Sequence, residues 1–312
     1  MRQLVARGDQ VTSFSRGDYP ELAALGVRCL RGDITDRASV VAAAAGVDAI
    51  IHTAAKAGIW GAYSSYHGPN VLGTQHVIAA ARHHGITRIV HTSSPSVTFD
   101  GKDQDGVDES VPYASRNWGH YPVTKAISER DMLHANGPQL ATVALRPHLI
   151  WGPGDPHFRP LFVKKAREGR LFLIDKGEQL VDSVHVENAA HAHILALERL
   201  APGSPIQGKA FFITNHEPWP IRRLIAASLK AAGIEFEARF LPKRLVYALG
   251  TVCESSWRTL ALKSDPPVTR FMARQLGTSH WYDPRAARSL LGYEPKLSMD
   301  EGMLLLLNDP AS

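Results

Sequence analysis

The chain has 312 residues, 44% of them hydrophobic and 21% charged, with a formal net charge of +5 at pH 7. This is the composition of a soluble globular protein, long enough for one large α/β domain or two lobes around a sizeable core. Its basic residues are scattered. The densest cluster, Lys164-Lys165-Ala166-Arg167, reads as a solvated helix face and not as a nucleic-acid patch, while the positive balance favours an anionic cofactor or substrate. Cys29 and Cys253 have neither metal nor redox spacing, which fits a reducing cytoplasm without disulfides.

Residues 1–9 read as the second half of an amphipathic helix, with Gly8 in a C-cap position. They are too polar for a signal peptide or membrane anchor. A partial helix running straight into a strand gives the start a truncated look. From there strands and helices alternate. Strands are expected at 10–15, 27–31, 48–53, 88–92 and 141–146, and helical segments at 19–25, 39–45, 69–84 and 120–135. Short apolar strands between helices point to a parallel sheet covered on both faces, the doubly wound plan whose ligands bind at the carboxyl ends of the strands.

Arg16, Asp33, the loop after Thr53, and Ser94 all fall at such strand ends. At the end of a second strand an acidic residue would bind ribose hydroxyls, whereas an arginine accommodates a 2′-phosphate; Arg16 therefore favours NADP over NAD, unless it is a surface arginine in a turn with Gly17. Asp33 either accepts from an adenine amino group or closes a turn. The small residues after His52 would let backbone approach a cofactor, and His52 itself reads as a packed strand residue. Asn70 reads as structural. No G-x-G-x-x-G or G-x-x-G-x-x-G follows a strand anywhere in the chain, so the usual pyrophosphate loop is missing, and its natural place would be before Met1.

Tyr121-Pro122-Val123-Thr124-Lys125 puts a phenol and an ammonium on one helix face. A tyrosine titrates near ~10, and a lysine together with a cationic nicotinamide could lower it toward ~7. The spacing alone is equally that of a solvated helix face. Its context is Thr92-Ser93-Ser94 at the end of the apolar run 88–91, where a hydroxyl can reach a tyrosine on the next helix.

Gly32-Asp33-Ile34, His52-Thr53-Ala54-Ala55, Asn70-Val71-Leu72-Gly73-Thr74, Thr92-Ser93-Ser94, Tyr121-x-x-x-Lys125 and Leu145-Arg146-Pro147-His148-Leu149-Ile150-Trp151-Gly152-Pro153-Gly154 together span much of the chain. In these motifs it resembles the extended short-chain dehydrogenases/reductases, the group of 3β-hydroxysteroid dehydrogenases, sugar-nucleotide epimerases and related ketoreductases. It departs from that group in lacking the first strand and glycine loop. The resemblance implies a Rossmann-like α/β domain over 1–150 and a smaller substrate lobe over 151–312, with 179–200 returning to the first domain. It implies that Tyr121 is the proton donor or acceptor, that Lys125 binds the nicotinamide ribose and lowers the pKa of Tyr121, and that Ser94 orients the reacting oxygen. Arg16, Asp33, Ile34, Ala54, Ala55, Lys56, Thr92, Pro147 and Ile150 would lie along the cofactor beside Tyr121 and Lys125. The implied cofactor is NADP, with NAD second, and a homodimer through first-lobe helices would fit the group. No metal is called for: His83-His84 and His191-Ala192-His193 read as surface helix residues.

In the second lobe, 181–190 reads as a short strand feeding a helix, 209–213 as a buried strand, and 218–232 and 299–307 as helices. The apolar stretch 242–262 is interrupted by Lys243, Arg244, Glu254 and Arg258, so it cannot span a membrane. It can pack on the lobe, roof an apolar cavity or touch a membrane surface peripherally. The expected activity is interconversion of 3-oxo and 3-hydroxy groups on a small apolar ketone or alcohol, an alkylated fatty acid or a steroid-like molecule. Two alternatives stay open. A sugar-nucleotide epimerase or dehydratase would use Arg159, Arg222, Arg223 or Arg270 for a diphosphate, and a degenerate regulatory protein would keep the fold without turnover.

Overall fold

The computed structural model describes residues 1–156, 158–262 and 264–307; the end of the expected second lobe, 308–312, and positions 157 and 263 lie outside the described residues. The first elements are α1 (Arg2–Ala6), β1 (Thr12–Ser15), α2 (Pro20–Ala23), β2 (Arg28–Arg31), α3 (Arg37–Ala43) and β3 (Ile50–His52). Then come α4 (Tyr63–His67), α5 (Gly73–His84), β4 (Arg88–Thr92), β5 (Gln104–Val107), α6 (His120–His134) and β6 (Ala141–Pro147). The remainder comprises β7 (Ile150–Trp151), α7 (Phe158–Arg167), β8 (Leu173–Ile174), β9 (Leu180–Val181), β10 (Val184–His185), α8 (Val186–Arg199), β11 (Ala210–Ile213) and β12 (Trp219–Pro220). It ends with α9 (Ile221–Lys230), β13 (Phe240–Leu241), α10 (Lys243–Thr259), α11 (Arg270–Leu276), β14 (His280–Tyr282) and α12 (Met299–Leu307).

Four strands form a parallel sheet in the order β11-β6-β4-β3, and β1 pairs with β2 in a separate parallel ribbon. Every residue of β6 is buried, as expected of a strand covered on both faces. Adjacent residues of β4 face opposite layers. Val90 packs with Ala189, Ala192 and Leu195 of α8, and Ile89 packs with Val77, Ile78 and Ala81 of α5. The result is an α/β fold with helices on both faces of a parallel sheet. The segment 210–213, placed in the second lobe by its position in the chain, pairs with β6 and therefore lies in this sheet along with the returning α8.

Local sequence explains the joints. Asp36 caps α3 through the Ala38 N–H at 3.0 Å, and Gly85 ends α5 in a left-handed conformation that a glycine adopts without strain. The expected helix at 69–84 is one long rod that starts at α4 and passes through a π turn at Gly68–Leu72. At Gly73 the rod passes so close to Ile34 that a Cβ would lie 2.8 Å from its side chain.

Outside the four-stranded sheet lie the pairs β10-β7 and β13-β8 and the mixed sheet β12-β9-β14-β5, in which β5 comes from the stretch expected in the first domain and the other three strands from the expected second lobe. The core of the second lobe joins Trp151, Phe162, Trp219, Leu224 and Met303. α10 buries Val246, Gly250 and Glu254 and exposes Leu245, Leu249 and Val252. Among the described residues no helix is long and apolar enough to cross a membrane.

Candidate active site

The carboxyl ends of β3, β4 and β6 open onto a cavity of about 930 Å³ that continues between the lobes. β3 contributes Thr53 and Ala55, β4 leads into Ser94, and Pro147 and Ile150 follow from β6. The far walls are apolar, with Leu161, Phe172, Val246 and Phe271.

Ser94 caps a short 3-10 turn, Pro95–Val97. Its oxygen accepts from the Ser96 N–H at 3.3 Å and from Ser96 Oγ at 3.0 Å, so its own proton is left to donate. Ser93 is fixed through the backbone, its N–H donating to the Leu145 carbonyl at 2.6 Å. Tyr121 stands in the first turn of α6, where Pro122 is tolerated because its missing N–H would have no helical partner. Burial pushes the phenol above its usual pKa, and a hydrogen bond with Ser94 pulls the other way. Lys125, one turn on, is buried, and its Nζ donates to the Thr92 carbonyl at 2.6 Å. Burial lowers the ammonium to about 8, with Glu129 opposing. In the chain on its own the Tyr121 phenol is governed by desolvation, against the Ser94 hydroxyl.

Behind this pair lies a set of buried polar groups. Glu129 takes Arg146 Nη2 at 2.6 Å and Nε at 3.0 Å, and Tyr113 Oη donates to it at 2.7 Å. The arginine holds the Glu129 carboxyl below its usual range against the opposing effect of burial. Ser128 bridges Thr74 at 2.8 Å and His91 Nε2 at 3.2 Å, and Thr74 reaches His52 Nε2 at 3.0 Å. Desolvation and the nearby Lys125 charge hold His52 and His91 neutral, His52 at about 3. His193, expected on a surface helix face, is instead buried; it bonds Thr92 Oγ1 at 2.7 Å and the Ala189 carbonyl at 2.7 Å. Its helix lies against the sheet, and the Ala-rich stretch around it gave no sign of which face turns inward.

Asn70 is the residue whose role the sequence understates. From the π turn its Oδ1 accepts the Lys56 N–H at 2.7 Å, while Nδ2 donates to the Lys56 carbonyl at 3.1 Å and to Thr124 Oγ1 at 3.0 Å. It ties the loop after β3 to the helix that carries Tyr121 and Lys125.

Of the residues singled out in the sequence, Ala55, Thr92, Ser94, Tyr121, Lys125, Pro147 and Ile150 line this one cavity. Arg16, Asp33, Ile34, Ala54 and Lys56 are not among its walls. Arg16 is exposed at the end of β1 and adds to the lowering of the Asp33 pKa, which comes first from the Thr35 N–H. Asp33 closes a turn, its Oδ1 accepting from Thr35 N and Oγ1, both at 2.8 Å. Ile34 packs on Gly73, and Lys56 Nζ is turned to Ser65 Oγ at 2.8 Å. Lys164 and Lys165, read as a solvated face, also border the cavity, and burial lowers the Lys165 pKa. Among the described residues no group of three or more His, Cys, Asp or Glu could hold a metal ion.

The residues present fit the nicotinamide half of a dinucleotide. Exposed Thr53, Ala54 and Ala55 leave room at the end of β3, and a buried cation and two hydroxyls converge opposite them. None of the arginines considered for a diphosphate lines this cavity. Arg159 Nη2 donates to the Ala231 carbonyl, and Arg222, Arg223 and Arg270 pair with Glu178, Asp300 and Glu254.

The model of the 3-beta hydroxysteroid dehydrogenase/isomerase family matches residues 5–243. A 2-alkyl-3-oxoalkanoate reductase of Stenotrophomonas maltophilia (strain K279a) is 49% identical over 97% of this chain and 92% of its own length. A second protein of that name, from Shewanella oneidensis, is 44% identical over 97% and 80%. The human sterol-4-alpha-carboxylate 3-dehydrogenase, decarboxylating, is 34% identical over 97% and 82%. Among solved structures, a dTDP-glucose 4,6-dehydratase from Streptomyces venezuelae, with NAD bound, superposes with a TM-score of 0.76 at 22% identity, covering 98% of this chain and 91% of the other. At that identity the likeness speaks for the fold alone.

Proposed function

The chain belongs to the 3-beta hydroxysteroid dehydrogenase/isomerase family, and on that premise we propose that it is an NADP-dependent oxidoreductase that reduces the 3-oxo group of a 2-alkyl-3-oxoalkanoate. The observation that carries the reading is that Ser94, Tyr121 and Lys125 line one cavity with apolar walls, Tyr121 one helical turn before Lys125. The relatives' names add the substrate class. Both 2-alkyl-3-oxoalkanoate and sterol-4-alpha-carboxylate put a carboxylate on the carbon next to position 3.

A nicotinamide dinucleotide, when bound, supplies or removes the hydride. The protein's part is binding, orientation and proton transfer. A phenol whose pKa is raised is protonated at neutral pH, and so Tyr121 is set to give its Oη proton to a carbonyl oxygen that is gaining charge. Ser94 donates to that same oxygen and fixes its position. Lys125, anchored on the Thr92 carbonyl, places a positive charge under the tyrosinate that forms. The apolar walls exclude water and hold the hydrocarbon chain. Arg16, exposed and without a salt bridge among the described residues, supports the preference for the 2′-phosphate.

The test is Tyr121→Phe, which removes one oxygen and keeps the ring. Turnover should fall by about 10²–10⁴ while NADPH binding, followed by nicotinamide fluorescence, stays within about twofold. Unchanged turnover would remove Tyr121 from the chemistry.

A further inference from the structure

α10 carries hydrocarbon on both sides. Inward, Val246 lines the cavity that holds Ser94, Tyr121 and Lys125. Outward, Leu245, Leu249 and Val252 recur at the i, i+4, i+7 spacing of one helix face and are 46%, 43% and 64% exposed. Leu260, just past the end of the helix, and Phe240 of β13, just before its start, are exposed as well. The charged residues of α10, Lys243, Arg244, Glu254 and Arg258, fall outside the 245-249-252 stripe. Single exposed apolar residues are ordinary, whereas a stripe of them along a helix of 17 residues marks an interaction surface.

A cationic rim borders this stripe. β13 leads into α10 and pairs with β8, and Arg239 Nη1 beside it donates to the Gly169 carbonyl at 3.4 Å. The end of α7 and the turn after it, with Lys164, Lys165, Arg167 and Arg170, therefore adjoin the start of α10. Lys164, Lys165 and Arg170 also border the cavity, as does Leu161, which is exposed. Residues 164–170 and 235–262 together hold eight cations and four carboxylates. Of those carboxylates Glu168 pairs with Arg170, and Glu254 is buried against Arg270, so the surface charge is positive.

We propose that the outward face of α10 docks on an anionic lipid bilayer, with the stripe at the boundary of headgroups and acyl chains and the cations of α7 and Arg244 toward the lipid phosphates. A helix with one apolar face and flanking cations lies in the plane of a membrane, held by buried hydrocarbon and by attraction to anionic lipid. A second copy of the chain is a poorer occupant, since a two-fold pair through this face would bring the same cationic rim to both sides of the interface. The border of the cavity at Leu161 and Lys164 then adjoins the lipid, and an apolar substrate can pass between the two without crossing water. That last consequence rests on the reductase reading above; the docking face does not.

The test is flotation of the full chain with phosphatidylcholine vesicles, with and without phosphatidylglycerol, for the wild type, Leu249→Glu, Val252→Glu and Val252→Leu. Both positions are exposed, and circular dichroism checks that the fold is kept. The wild type should float at least about tenfold more with the anionic vesicles than with phosphatidylcholine alone, and high salt should abolish the difference. Each glutamate variant should lose at least about fivefold of the bound fraction, while Val252→Leu, which keeps the hydrocarbon, should bind as the wild type does. No flotation of the wild type, or flotation unchanged in both glutamate variants, would overturn the proposal. A wild-type dimer in sedimentation that the glutamate variants dissociate, without flotation, would assign the face to a second copy instead. Reduction of a short-chain 2-alkyl-3-oxoalkanoate without vesicles is assayed in parallel. Flotation without reduction supports the docking face and sinks the reductase reading, and reduction without flotation sinks the docking face alone.

Discussion

Tyr121 and Lys125 carry opposite burdens from the same burial. Taking a phenol out of water raises its pKa, and taking an ammonium out of water lowers it. Tyr121 therefore keeps its proton through the range in which Lys125, at about 8, loses its own. The ammonium is present below that value and is lost as pH rises through it. The kcat/KM for reduction should accordingly be level below pH 8 and fall above it. A profile that stays level to about pH 10, where a free lysine titrates, would place the needed charge elsewhere. At the other end of the site Arg16 makes a separate claim. Arg16→Asp should move the NADPH-to-NADH preference ratio at least about tenfold toward NADH, equivalent to ~1.4 kcal/mol. An unaltered ratio in steady-state assays would show that the 2′-phosphate is held by another group.

At the scale of elements, α6 is the unusual one. It buries Thr124, Lys125, Ser128 and Glu129, a polar face at helical spacing, and each has a partner on a neighbouring element. Apolar periodicity finds helices that bury hydrocarbon, so it cannot show this face. The Tyr-x-x-x-Lys spacing was legible and the network under it was not. The one hint was an arginine in a mostly apolar strand, Arg146 of β6, which is the partner of Glu129. Removing that arginine should leave a carboxylate buried without a counter-charge. Arg146→Ala is expected to cost about 3–5 kcal/mol in denaturant unfolding, more than any exposed arginine in the chain. A loss below about 1 kcal/mol would mean that the pair is not a structural support for α6. The strands β4 and β6 were legible from short apolar segments, Ile89-Val90 and Val143-Ala144-Leu145, set between helical stretches. β11 was equally legible as a strand, but its place beside β6 follows from tertiary pairing across a distant stretch of chain.

The whole molecule brings two kinds of surface to one point. The parallel sheet supplies strand ends, hydroxyls and a buried cation, while the second lobe supplies hydrocarbon walls from α7, α10 and α11. Motifs near strand ends located the first set, because strand ends in such sheets converge. The second set was not legible, since Leu161 comes from α7, Val246 from α10 and Phe271 from α11, far apart in sequence and joined by folding alone. The central claim is that this convergence reduces a branched 3-oxo acid. The most direct measurement follows NADPH consumption by the purified chain with a 2-alkyl-3-oxoalkanoate, with the Tyr121→Phe variant in parallel and the 3-hydroxy product identified by mass spectrometry. The account predicts NADPH-dependent formation of the 3-hydroxy acid by the wild type and its loss in the variant. NADPH binding with no 3-hydroxy product, or equal product from both proteins, would contradict it.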